Sequence, residues 1–150
     1  MDGYDWVKLV HVAAAIVAVG TNVTYVLWLR RVRRDPTHRA FALEGIQTLD
    51  RLLANPAYVV LPITGIAMVL LGDLGFTTFW IAVSIALYVA LGAFAGGFFS
   101  PALKRQLAIA QLPEAEQDGY GAAARRTMAT GAVTLVLVAA IVSLMVLKPV

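Results

Sequence analysis

A chain of 150 residues has room for one domain, and its 60% hydrophobic and 14% charged residues, with a mean hydropathy of +0.78, set it apart from soluble domains, which run near ~45–50% apolar and ~25% charged. It contains no cysteine, which excludes disulfides, thiolate metal sites and cysteine nucleophiles. The net charge of +3 falls in loops between apolar stretches, so it reads as a topology signal and not as a nucleic-acid surface.

Four apolar stretches approach the ~20 residues that a helix needs to cross the hydrocarbon core. The first runs from about Trp6 to Leu29. Asp2 and Asp5 precede it where a signal peptide would be basic, and the run is too long for a signal core, so a retained membrane helix is expected. On it, Lys8, His11, Ala15, Ala18, Asn22 and Tyr25 follow spacings of three, four or seven and share one stripe, with Val7, Val10, Val17 and Leu27 opposite. Polar groups are costly in lipid, so this stripe should face the bundle interior.

The segment from Thr37 to Ala54 repeats Phe41, Gly45, Leu49 and Leu52 at helical spacing, and is expected to lie as an amphipathic helix along the inner membrane surface. Asp50 and Arg51 stand where it meets the second span, to pair locally or to bind a partner helix. That span covers 53–71, with Pro56 in its first turn, Asn55 available to free backbone groups, and a kink at Pro62, Thr64 and Gly65. A turn at Gly72–Thr77 leads to the third span, 78–99. There Gly92 with Gly96, and Ala93 with Gly97, make small-xxx-small pairs that suit close packing inside the bundle, or else a homo-oligomer or partner face. A surface loop with a helical start at Ala102–Gln111 precedes the fourth span, 128–147.

Ten of the twelve Lys and Arg residues lie in the two long loops: Arg30, Arg31, Arg33, Arg34, Arg39 and Arg51 in one, Lys104, Arg105, Arg125 and Arg126 in the other. The positive-inside rule then places both loops in the cytoplasm of a bacterial inner (plasma) membrane, and both termini outside. Trp6, Trp28 and Trp80 fall near span ends, as interfacial aromatics do.

His11 lies about 7–8 Å inside Trp6 by helical rise. It reads as a haem or metal ligand or a proton carrier, or alternatively as a neutral histidine in an interhelical hydrogen bond. With spans two and four running outward, Met68 and Met145 reach a similar depth, Thr64 being one turn from Met68, and Thr130, Thr134 and Met145 falling roughly on one face. Histidine with thioethers suits copper(I), and a His/Met pair also ligates haem b; methionine as plain apolar filler is the competing reading. His38, in the basic loop, lies beyond a further ~27 Å of helix and reads as a solvated residue. No span as drawn contains an acidic residue, and the chain has no phosphate loop, no usable Ser/His/Asp set and no HExxH helix.

Three motifs carry a family resemblance. Trp6-Val7-Lys8-Leu9-Val10-His11, with Gly20-Thr21 later in the helix, resembles the opening of a bacterial family of predicted integral membrane proteins of unknown function. Asp50 to Gly65, with Asn55-Pro56, Pro62, Thr64 and Gly65, and Ser100-Pro101-Ala102-Leu103-Lys104-Arg105-Gln106 are similar to its second and third motifs. That family is similar in turn to the CopD copper-resistance proteins and the HemJ-type protoporphyrinogen oxidases. The Lys-x-x-His opening is shared with the latter, and that resemblance implies that His11 serves haem. It also implies a lysine in a later span, whereas span three has none and Lys104 lies beyond its end.

The expected fold is an all-α, up-down-up-down four-helix transmembrane bundle in a single domain. The expected function is a non-catalytic or accessory protein of the lipid bilayer with a haem or copper site near the outer leaflet, His11, Met68 and Met145 being the candidate metal ligands and Lys8 and Asn22 joining them as candidate cofactor-binding residues. A HemJ-type haem-dependent oxidoreductase and a structural subunit of a membrane complex are the alternatives.

Overall fold

A computed structural model describes residues 2–149. Its six α-helices are α1 (Gly3–Arg34), α2 (Arg39–Leu49), α3 (Asn55–Leu71), α4 (Phe79–Phe94), α5 (Ser100–Ala110) and α6 (Tyr120–Leu147). A π turn at Asp50–Ala54 joins α2 to α3, and another at Ala95–Phe99 joins α4 to α5, with no break in either rod. The result is four continuous apolar rods, each long and apolar enough to cross a membrane.

Both π turns have the same local cause. Asn55 N–H bonds to Asp50 O, and Ser100 N–H to Ala95 O, so each ring is widened by one residue. Each stands immediately before a proline, Pro56 and Pro101. Proline donates no hydrogen bond, and its ring collides with the carbonyl four residues back; the wider register relieves that collision and lets the helix continue. The segment expected on the membrane surface is therefore the lower part of rod two. Asp50, expected where the surface segment meets the second span, lies inside this continuous rod.

The 36 residues of rod two rise about 54 Å and the 32 of rod three about 48 Å, well beyond a hydrocarbon core of ~30 Å. Both rods therefore leave the lipid at one end. That end is basic: Arg30, Arg31, Arg33, Arg39, Arg51, Lys104, Arg105, Arg125 and Arg126 all lie near it, mostly exposed. The main hydrophobic core is also there, built from Tyr25, Leu29 and Val32 of α1, Leu43 and Ile46 of α2, and Phe99, Leu103 and Leu107 of rod three, closed by Tyr120. Leu43 and Ile46 are wholly buried. In the spans, by contrast, Ile16 and Val136 are each 67% exposed, as lipid-facing residues should be. The placement has a reason: apolar burial drives helix association only where water is the alternative solvent.

Polar groups stitch the same end. Arg39 lies 4.3 Å over the Tyr120 ring and donates to Gln117 Oε1 at 3.2 Å. Gln106, almost wholly buried, donates to the Tyr120 hydroxyl at 3.0 Å. Gln111 of the α5 end donates to Glu44 of α2 at 2.9 Å. Helix α6 starts at Tyr120, eight residues ahead of the fourth span read from sequence, from Gly119 at φ 84°, a left-handed conformation natural to glycine.

Helix α1 packs against α3 and α6, and α4 packs against α6, while α2 packs against α5. Helices α3 and α4 do not pack along their lengths, although a short loop joins them. Rods two and three thus meet at the basic end and part above the two π turns.

The water-exposed end should dominate stability. Leu43→Ala is expected to lower unfolding free energy by about 2–5 kcal/mol in detergent, measured by reversible unfolding. Val136→Ala, on the lipid face, should change it by only about 0.5 kcal/mol.

Candidate binding cavity

Where rods two and three part, a cavity of about 230 Å³ opens at the level of the π turns. The stripe of α1 supplies one wall. Asn22 Nδ2 donates to the Ala18 carbonyl at 2.8 Å and to the Tyr58 hydroxyl at 2.5 Å, which fixes the amide orientation because a carbonyl can only accept. The Tyr25 hydroxyl donates to Asp50 Oδ1 at 3.1 Å, and the Tyr25 ring stacks on Phe99 with centroids 6.1 Å apart.

Pro62 builds the roof. Having no N–H, it leaves the Tyr58 carbonyl without its helical donor. The Tyr88 hydroxyl of α4 donates to that carbonyl, so one hydrogen bond bridges α3 and α4 across their gap. The two rings lie 6.5 Å apart. Below this bridge, Gly92 and Gly96 line the cavity. A Cβ at Gly92, Gly96 or Gly97 would meet nothing within 4 Å, so the close packing expected of these small residues inside the bundle does not occur. Their smallness keeps the space between α3 and α4 open.

A second cavity of about 210 Å³ lies on the α6 side, and shares Asn22, Tyr25, Phe99 and Thr134 with the first. The Tyr25–Phe99 stack forms part of the partition. Arg30 lines only the second cavity.

The residues singled out from sequence divide into two places. Asn22 is buried in the cavity wall. His11 is about 16 Å along α1 from Asn22 by helical rise. Its Nδ1 is 2.8 Å from Thr64 Oγ1. Thr64 Oγ1 also lies 2.8 Å from its own Val60 carbonyl and 3.2 Å from that of Leu61. With the hydroxyl proton on either carbonyl, Nδ1–H donates to Thr64 and Nε2 of the neutral ring keeps a free lone pair. The ring lies against α3 at Gly65, where a Cβ would sit in van der Waals contact, 3.4 Å from His11 Cε1. Met68 and Met145 are half-buried, and Lys8 is exposed at the end of the stripe. His38 is exposed and makes a 2.8 Å bond to Asp35, which holds that carboxyl below its ordinary pKa. Among the described residues, no three His, Cys, Asp or Glu side chains gather as a metal cluster.

Sequence reasoning missed Asp50, Tyr58 and Tyr88 as parts of one site. Signals for two of them were present: Pro62 four residues after Tyr58 marks a carbonyl in need of a donor, and the Asn55-Pro56 step marks a continuing helix that carries Asp50 into the bundle.

The chain belongs to the family described as predicted integral membrane protein (DUF2269), which it matches over residues 5–149. No curated protein and no solved structure matches it.

The proline–tyrosine bridge gives a double-mutant test. Tyr88→Phe should destabilise the protein by about 1–3 kcal/mol by leaving the Tyr58 carbonyl unpaired in an apolar setting. In a Pro62→Ala background, where position 62 regains its N–H, the cost should fall by about 1 kcal/mol. Thermal unfolding in detergent reads both; equal costs in the two backgrounds would contradict the bridge.

Proposed function

We propose that this member of the family is a membrane-embedded binding protein that takes a small, partly polar molecule into the cavity between α1, α3 and α4, entering from the lipid through the gap between α3 and α4. One observation carries the reading: convergent polar groups line a mainly apolar hollow where two rods separate, the usual make-up of a small-molecule site. The π turns support it, since such turns recur at functional sites. The basic end is taken as cytoplasmic by the positive-inside rule, which puts the cavity toward the inner leaflet and both termini outside a bacterial inner membrane.

A second reading, copper(I) at His11, is favoured by the His11–Thr64 bond. Metal-ligating histidines commonly donate one ring N–H to a neighbouring acceptor and bind through the other nitrogen. Met68, one turn beyond Thr64, and Met145 are the thioethers within the proposal; Lys8 and Asn22 fall outside it. The geometry gives haem no support there. The His11 ring lies against the α3 backbone at Gly65, and neither cavity is lined by α1 residues before Asn22.

One preparation tests both readings. Organic extracts of the detergent-purified protein should contain a small molecule that is retained by the wild type and lost in Gly96→Leu, a variant that fills the cavity. Identical extracts would overturn the cavity reading. Elemental analysis after copper(I) loading should find about one copper per chain, lost in His11→Ala, if the second reading holds; no copper in the wild type would end it.

A further inference from the structure

The cavity also shows what kind of molecule it suits. Its lining contains one carboxylate, Asp50, and no lysine, arginine or histidine. Asp50 Oδ1 accepts from Tyr25; among the described residues, no protein donor reaches its Oδ2 or the Asn22 Oδ1. Neither oxygen is sealed in the packing, and both belong to residues that line the cavity. Among the described residues, unpaired donors line it too, the Tyr58 and Ser100 hydroxyls and the Asn55 amide, so its charge character comes from the one carboxylate that no base in the lining opposes. Besides Asn55, Ser100 and Thr134, the rest of the lining is largely aromatic and small, and Tyr25, Tyr58, Tyr88 and Phe99 supply ring faces and edges.

We infer that the ligand is a small organic cation, an ammonium group carried on an apolar body. This rests on the cavity reading above. An anion would meet the Asp50 carboxylate with no opposing base in the lining, at a separation where like charges repel strongly in a low-dielectric setting. A neutral apolar molecule would leave Asp50 Oδ2 and Asn22 Oδ1 unpaired. An ammonium answers both, by charge with Asp50 and by attraction of its alkyl substituents to ring faces. A volume near 230 Å³ holds a compact ligand and excludes a long-chain amphiphile as a whole. Arg30 lines the neighbouring cavity, which shares the Tyr25–Phe99 stack with this one.

The test compares isosteres on the full chain in detergent by titration calorimetry. Choline and 3,3-dimethylbutan-1-ol have the same shape and hydroxyl, and differ in the charge on the quaternary centre. Choline should bind at least about tenfold more tightly to the wild type, and Asp50→Asn should reduce that preference to within about twofold. Equal binding of the two, blocked by Gly96→Leu, would overturn the cation inference and leave the cavity reading standing. Binding of either compound that is indifferent to Gly96→Leu, or no binding of either, would overturn the inference; indifference to Gly96→Leu would also count against the cavity. Should Asp50→Asn fail to fold, the wild-type comparison of the two isosteres decides alone.

Discussion

The hydrophobic clasp at the basic end holds the molecule in its shape. Lipid tails are as apolar as leucine, so the spans gain little from burying apolar surface against one another. The rods that overrun the bilayer enter water, and there α1, α2, α5 and the start of α6 enclose Leu29, Val32, Leu43, Ile46, Leu103 and Leu107. Rods two and three pack together at this end, and above it the Tyr88–Tyr58 hydrogen bond spans their gap. Because nothing comparable draws α3 to α4, the bundle can stay open on that side without losing its main stabilising contact.

The cavity follows from two further constraints that share a cause, the missing N–H of proline. Pro56 and Pro101 sit just past the π turns, whose wider register lets each rod continue. Pro62 frees the carbonyl that Tyr88 then bridges. Each proline removes a backbone hydrogen bond; a wider backbone register accommodates Pro56 and Pro101, and the Tyr88 side chain compensates for Pro62. Glycines at 92 and 96 leave the resulting space unfilled. A polar pocket inside an apolar slab is thereby kept open by hydrogen bonds between α1 and α3 and across the gap, and by the Tyr25–Phe99 stack.

Much of this was legible in the sequence. Apolar length gave the four rods, and the 3.6-residue stripe of helix one placed His11, Ala18, Asn22 and Tyr25 toward the interior, where they lie. Lys8 ends the same stripe but is exposed, because its position near the helix start reaches beyond the packed neighbours. The amphipathic 37–54 segment showed its helical period. Its orientation was not legible, since the same period suits a membrane surface and a protein surface. Asp50 was read as the junction between a surface segment and the second span; a π turn makes the two one continuous helix, which puts Asp50 inside the rod. The meeting of Tyr25 with Asp50, and of Tyr88 with Tyr58, depends on the rotation of separate rods, which periodicity within one rod does not fix.

The central claim is that rods two and three are closed at the basic end and open beside the cavity. The absence of native cysteine makes paired cysteine substitution a clean probe. The decisive measurement is oxidative disulfide cross-linking in native membranes, comparing pairs placed between α2 and α5 with pairs that flank the cavity, such as Asn55→Cys with Gly92→Cys. The account predicts ready cross-linking between α2 and α5 and little or none across the cavity. Equally efficient cross-linking at both levels would mean that α3 and α4 close on one another, and would contradict it.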